Sequence, residues 1–167
     1  RDPKEYANEI MYQWGKYKKE GMRVAQTFDQ VPTLHDKWIK NFCKQYAQES
    51  SGGDYPFSMF SRVDNLNEEK IKLLAKAGCK ILRMGIESGN DFIRNKVHKK
   101  NITKHQIRKV NSLCKKYGVG TTAFFMIGGP GENRETINET INFARELNPN
   151  RSAFFIYKPV TQESVEL

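Results

Sequence analysis

The 167-residue chain has only three cysteines, Cys43, Cys79 and Cys114, and no Cys-x-x-Cys. An odd, widely spaced set argues against a disulfide framework and against a thiolate metal site. It suits three small buried hydrophobes in a reducing cytoplasm. No run of about 20 apolar residues occurs, so no membrane-spanning helix is expected. A starting Met and a signal-peptide pattern are also missing. The charged opening Arg1-Asp2-Pro3-Lys4-Glu5 reads as the edge of an excised segment. Acidic residues are absent from Phe92 to Gly118, a stretch that holds nine of the 28 Lys and Arg residues. The other 19 basic residues match the 19 acidic ones, so this stretch carries the whole net charge of +9. It is either a solvated helix face or a footprint for an anionic partner such as RNA. Low-complexity sequence and linkers are lacking too, and one domain over residues 1–167 is expected.

Helix and strand signals alternate along the chain. Tyr6, Ile10, Trp14 and Tyr17 recur at helical spacing after Pro3, a residue suited to a first helical turn. Gly21 stops that helix, and Met22 to Phe28 reads as a short strand. Leu34 to Tyr46 is helical, and Ser50 to Asp54 is a loop by composition. Phe57 to Arg62 is the second strand. Asn67-Glu68-Glu69 opens a helix with a polar cap and acids in its first turn, closed by Ala77-Gly78. Cys79 to Ile86 is the third strand. Helical signal resumes at Asn90, breaks near Asn101, and runs from Thr103 to Tyr117 before Gly118. Val119 to Ile127 is the fourth strand. Asn133 to Leu147 is a helix closed by Asn148-Pro149, and Ser152 to Tyr157 is the last strand. Short apolar strands separated by helices predict an α/β fold with a parallel sheet, either a barrel or doubly wound. Five strands do not close an eight-stranded barrel.

In such folds function gathers where the strands end at their carboxyl side. Those positions hold Asp29, Arg62 and Glu87, three charges that are costly at apolar strand ends unless paired or used. Together they suit a ligand carrying a carboxylate and vicinal hydroxyls. Arg62 can grip the carboxylate, and Glu87 can accept from ribose hydroxyls or an amine. Ser88-Gly89 follows, and the glycine lets the backbone turn closely around a ligand. Met126 and Ile127 lead into Gly128-Gly129-Pro130-Gly131, a sharp turn with bare backbone groups against which an adenine ring could lie. It is neither a Gly-x-Gly-x-x-Gly fingerprint nor a phosphate loop.

Several segments carry a resemblance: Arg62-x-Asp64-x-Leu66; Ala77-Gly78-Cys79-Lys80 leading to Gly85-Ile86-Glu87-Ser88-Gly89-Asn90; Ile102-Thr103 with Gln106-Ile107; and Phe125-Met126-Ile127-Gly128-Gly129-Pro130-Gly131-Glu132. In this order and spacing the chain resembles the radical S-adenosylmethionine superfamily. Within it, the branch of cobalamin-binding radical enzymes, tRNA methylthiotransferases and anaerobic coproporphyrinogen oxidase is most similar. The resemblance implies an incomplete, TIM-like (β/α) barrel, in which this chain supplies strands two to six of a six-stranded partial barrel. It implies that Glu87 and Ser88 contact the ribose or amino group of S-adenosylmethionine. Arg62 would lie near the methionine carboxylate, and the Met126, Ile127, Gly128 and Gly129 strand end would pack against adenine. Asp29 matches the first of two acids that often follow the second family strand, with Gln30 where the second usually stands.

The family's Cys-x-x-x-Cys-x-x-Cys loop, which supplies three thiolates to a four-iron four-sulfur cluster, has no counterpart here. The resemblance therefore implies a truncated member that binds no cluster and makes no radical by itself. Its parent would use S-adenosylmethionine, the cluster, a reductant protein and, in this branch, cobalamin. A 5′-deoxyadenosyl radical would then abstract hydrogen from a small-molecule or RNA substrate. Two other readings stand beside it: a barrel enzyme using Asp29, Arg62 and Glu87 for acid–base work, and an RNA-binding module using the basic helix from Thr103 to Tyr117.

Overall fold

The computed structural model describes residues 2–29, 31–50 and 55–159. The elements run α1 (Pro3–Tyr17), β1 (Ala25–Gln26), α2 (Asp36–Glu49), β2 (Phe57–Ser61), α3 (Glu68–Lys76) and β3 (Cys79–Glu87). A π-helical turn at Ile93–Val97 follows, then α4 (Lys104–Lys116), β4 (Gly120–Ile127), α5 (Arg134–Leu147) and β5 (Arg151–Ile156). The strands form one parallel sheet in the order β1-β2-β3-β4-β5. Each crossover joins neighbouring strands, and a constant right-handed sense puts the helices on one face. Strand twist then curls the sheet into a half-barrel with an open concave side.

The helix boundaries follow local chemistry. Asp2 caps α1 by accepting from the Lys4 amide, and Asn67 caps α3 through the Lys70 amide. Thr103 with Gln106 and Asn133 with Thr136 close reciprocal capping boxes on α4 and α5. Gly118 after α4 and Asn148 after α5 take left-handed conformations, at φ 70° and 45°. Period-two alternation then divides the strands. Phe57, Met59, Leu82, Met84, Ile86, Ala123 and Phe125 are buried in one core with Ile39, Phe42, Tyr46, Ile71, Leu74, Ile107, Val110 and Phe143 of the helices. Each of the Val, Leu, Ile, Met and Phe side chains contributes about 1.5–3 kcal/mol by burial.

Three departures from the sequence reading bear on the site. The first strand pairs only over Ala25–Gln26 rather than from Met22 to Phe28, because the chain leaves β2 after Thr27. The Thr27 amide still reaches the Ser58 carbonyl at 3.0 Å, but its own carbonyl is taken by the Arg83 guanidinium instead of the ladder. The second helix starts at Asp36, after a short 3-10 turn at Pro32–Leu34. The helical signal at Asn90 becomes a π turn, whose wider backbone loop precedes the irregular stretch that carries Lys100. Gln30, residues 51–54 of the Ser50 to Asp54 stretch read as a loop, and residues 160–167 lie outside the described residues.

Candidate functional site

Asp29, Arg62 and Glu87 line one cavity of about 400 Å³ at the carboxyl ends of β1, β2 and β3. Phe28, Phe60, Phe124 and Gly85 form its floor, and Lys100 completes its rim. A hollow of about 530 Å³ between α1 and the free edge of β1 is larger and meets this cavity at Phe28 and Asp29. Only Glu9 and Asp29 bring charge to it, so the smaller cavity holds the richer chemistry.

Glu87 ends β3 where the register with β4 shifts between Gly85 and Glu87. Its φ of 67° is left-handed, a strained choice for a non-glycine residue. This backbone turn swings the carboxylate over Gly85 and brings Oε1 within 3.0 Å of Lys100 Nζ. A Cβ at Gly85 would press on that carboxylate and stand 3.0 Å from Lys100 Nζ. Gly85 is thus the recess in which the ion pair sits.

Arg62 is already engaged. Its Nε and Nη2 donate to Asp64 at 3.0 and 2.8 Å, and Nη2 also reaches the Lys100 carbonyl at 3.1 Å. The hydrogen bonds from Arg62 hold the Asp64 carboxyl below its ordinary range, and the same contacts raise Arg62. Asp64 and Lys100 are the ion-pair partners of Arg62 and Glu87 that the residue-by-residue reading missed. Asp64 stood in a quoted motif without a role. Lys100 was one of nine cations in an acid-free stretch, and nothing in its spacing marked it as the residue that meets Glu87.

Ser88 stands apart. It is fully buried, its hydroxyl within 3.0 Å of both Thr140 Oγ1 and the Asn90 amide, and its carbonyl accepts from Arg94. Gly89 is glycine because α5 packs on it: a Cβ there would lie 2.6 Å from the Glu139 carbonyl and 2.7 Å from Thr140 Cα. The close approach expected around a ligand is therefore an approach between backbones.

Met126 and Ile127 are half-buried opposite Phe155 and Ile156, and Gly128 and Gly131 take φ of 79° and 74°. The Gly129 amide donates to Glu132 at 3.0 Å. This turn lies beside the Tyr157 and His98 rings and does not line the cavity.

Lys70 fixes the geometry from behind. It is buried, and Nζ reaches the Thr33 carbonyl at 3.0 Å, the Asn65 carbonyl at 2.8 Å and Asp36 at 2.6 Å. Thr33 Oγ1 also meets Ser61 Oγ at 2.7 Å. The segments following β1 and β2, from which Asp29 and Arg62 project, are thereby tied together.

A parallel half-barrel with a charged cavity at its strand ends is a class of fold, and comparison places it in a family. The radical SAM superfamily model matches residues 1–144, and the chain belongs to that superfamily. It is 32% identical over 139 residues to an uncharacterized methyltransferase of Pyrococcus horikoshii, covering 83% of this chain and 30% of that protein. It is 30% identical over 161 residues to the anaerobic magnesium-protoporphyrin IX monomethyl ester cyclase of Rubrivivax gelatinosus, covering 95% of this chain and 28% of the cyclase. The fold matches the radical S-adenosylmethionine methyltransferase TsrM of Kitasatospora setae, solved with cobalamin and a [4Fe-4S] cluster bound. That match has a TM-score of 0.72 at 19% identity, over 90% of this chain and 30% of TsrM. The chain thus spans less than a third of the length of each of these proteins.

Family chemistry uses S-adenosylmethionine and a four-iron cluster, and the described residues do not fit the second. Cys43, Cys79 and Cys114 are all buried in the hydrophobic core, and burial pushes the Cys43 and Cys114 thiols up to about 12 and Cys79 higher still. Among the described residues no group of three His, Cys, Asp or Glu could hold a metal ion. No described helix is long and apolar enough to cross a membrane.

The two competing readings lose support. Glu87 is bound to Lys100 and Arg62 to Asp64, which leaves Asp29 alone for acid–base work. Four of the nine cations of the basic stretch are neutralised or hidden: Arg94 is fully buried, Lys100 meets Glu87, Arg108 meets Glu146, and Lys116 meets Glu68.

Proposed function

We propose that the charged rim of this cavity, formed by Asp29, Arg62, Glu87 and Lys100, is the seat of S-adenosylmethionine, and that this chain is the nucleoside-binding part of a radical SAM enzyme. The observation that carries the reading is the left-handed Glu87, which holds a carboxylate–ammonium pair on the rim of a cavity at the strand ends. A zwitterionic ligand exchanges into such a pair at little electrostatic cost: its carboxylate takes Lys100 and Arg62, while its ammonium or ribose hydroxyls take Glu87 and Asp29. The β4 end at Met126–Gly129 stands next along the sheet and offers an apolar surface to adenine. Ser88 serves the fold in this reading, by seating α5.

When bound, S-adenosylmethionine supplies a sulfonium that family enzymes cleave reductively. The described thiols take no part in that step. Hydrogen abstraction from substrate by the parent enzyme, a reductant that supports it, and cobalamin as a second cofactor are expectations drawn from family kinship.

Isothermal titration with S-adenosylhomocysteine, which needs no cluster, tests the rim. The native chain should bind it, and Glu87→Gln should weaken binding about tenfold with an unchanged circular dichroism spectrum. Equal affinity in the two proteins would refute the assignment.

A further inference from the structure

The concave face carries an aromatic row that the polar rim does not use. Phe28, just beyond β1, lies 6.2 Å from Phe60 of β2, Phe60 lies 5.8 Å from Phe124 of β4, and Phe124 lies 5.7 Å from Phe155 of β5. Strands β2 and β4 are not neighbours. Their rings meet because β3, between them, carries Gly85 opposite Phe124, where a side chain would separate them. The row crosses the half-barrel and its ends are open, with Phe28 73% and Phe155 53% exposed. Contiguous exposed rings of this kind mark a binding surface.

A cation lies against two of these rings. Arg83 is only 8% exposed, and its guanidinium carbon stands 4.3 Å from the Phe60 centroid and 5.1 Å from that of Phe28. Its terminal nitrogens donate to the Thr27 and Ser58 carbonyls and to Gln26 Oε1, and its Nε has no partner. Among the described residues no carboxylate pairs with it. Asp64 and Glu87 are held by Arg62 and Lys100, and Asp29 is exposed and makes no ion pair with it. A buried charge balanced only by neutral dipoles is rare. Low-dielectric walls focus its field into the cavity above.

We propose that this face receives the molecule on which the enzyme acts, and that this molecule contains a flat conjugated ring bearing an acidic group. The ring lies on Phe60 and Phe124, and its acid is drawn by the field of Arg83. The inference rests on the rim being the seat of S-adenosylmethionine, since that leaves the floor for the second ligand. An aliphatic ligand would leave the ring faces without stacking partners. A neutral ring would leave Arg83 uncompensated.

NMR titration of the whole chain decides it. The probes are indole-3-acetate, its neutral analogue indole-3-acetamide, and the non-aromatic acid cyclohexylacetate. Indole-3-acetate should bind about tenfold tighter than either of the others. Replacing both Phe60 and Phe124 by Leu should weaken it about fivefold to tenfold, and Arg83→Met should abolish the preference for acid over amide. Should Arg83→Met fail to fold, the acid–amide comparison on the native chain still decides. Equal affinity for acid and amide overturns the proposal. So does a concentration-dependent dimer that Phe155→Ser dissolves, since the face would then belong to a second copy. S-adenosylhomocysteine binding on the same sample separates the two claims. If it persists while no ring binds, only the substrate assignment fails; if it is absent, the rim reading fails as well.

Discussion

Gly85 and Gly89 flank Glu87 and are glycines for different physical reasons. A methyl group at Gly85 meets the far end of a flexible side chain, so the carboxylate can swing away and the fold survives. A methyl group at Gly89 meets the backbone of α5, which cannot yield without moving the helix. Gly85→Ala should therefore cost about tenfold in S-adenosylhomocysteine affinity with little change in urea midpoint. Gly89→Ala should lower stability by about 1–3 kcal/mol while the folded fraction keeps its affinity. Titration and urea unfolding on the same two variants check both, and matching outcomes for the two glycines would contradict the account.

The elements were the part most legible in the sequence. Asn67, Gly118 and Asn148-Pro149 punctuate helices through their own backbone chemistry, and the structure uses each one as written. The first strand was overread, because Met22 to Phe28 has strand-like composition while its pairing is cut short by Arg83, a contact 56 residues away in sequence. The same limit governs the site. Asp29, Arg62 and Glu87 were readable because strand ends in a parallel sheet converge, whereas Lys100 arrives through an irregular segment that no periodicity describes. The inter-element tie at Lys70 was equally hidden, since a lysine in the first turn of a helix reads as solvated. Lys70→Met keeps the aliphatic bulk and strips the partners from the Thr33 and Asn65 carbonyls, each loss costing about 1–3 kcal/mol. Its urea midpoint should fall, and limited proteolysis should open the segments following β1 and β2 before the rest. Unchanged protection of those segments would show that the tie is not what holds them.

At the scale of the whole molecule, the three buried thiols link stability to alkaline pH. Each has a folded value raised above its value in the unfolded chain, to about 12 for Cys43 and Cys114. Above about pH 9 the unfolded chain releases protons that the native protein keeps, so stability is full below that value and declines as pH rises. The slope approaches about 1.4 kcal/mol per pH unit for each thiol. Urea unfolding under reducing conditions at pH 8 and pH 10 measures it. Cys114→Ala should be less stable at pH 8 yet show a shallower decline, and parallel declines would assign the alkaline sensitivity to other groups.

The strand order has a consequence for how the molecule comes into being. Because β1 to β5 stand side by side in the order of synthesis, each described strand after β1 leaves the ribosome with its earlier neighbour already in place. Among the described strands none of β1 to β4 waits for one made much later, so loop closures stay short and nucleation can advance from one unit to the next, as in repeat proteins. A lineage built this way can gain or shed a unit at either end of the sheet and leave the cavity over Gly85 between its own neighbours.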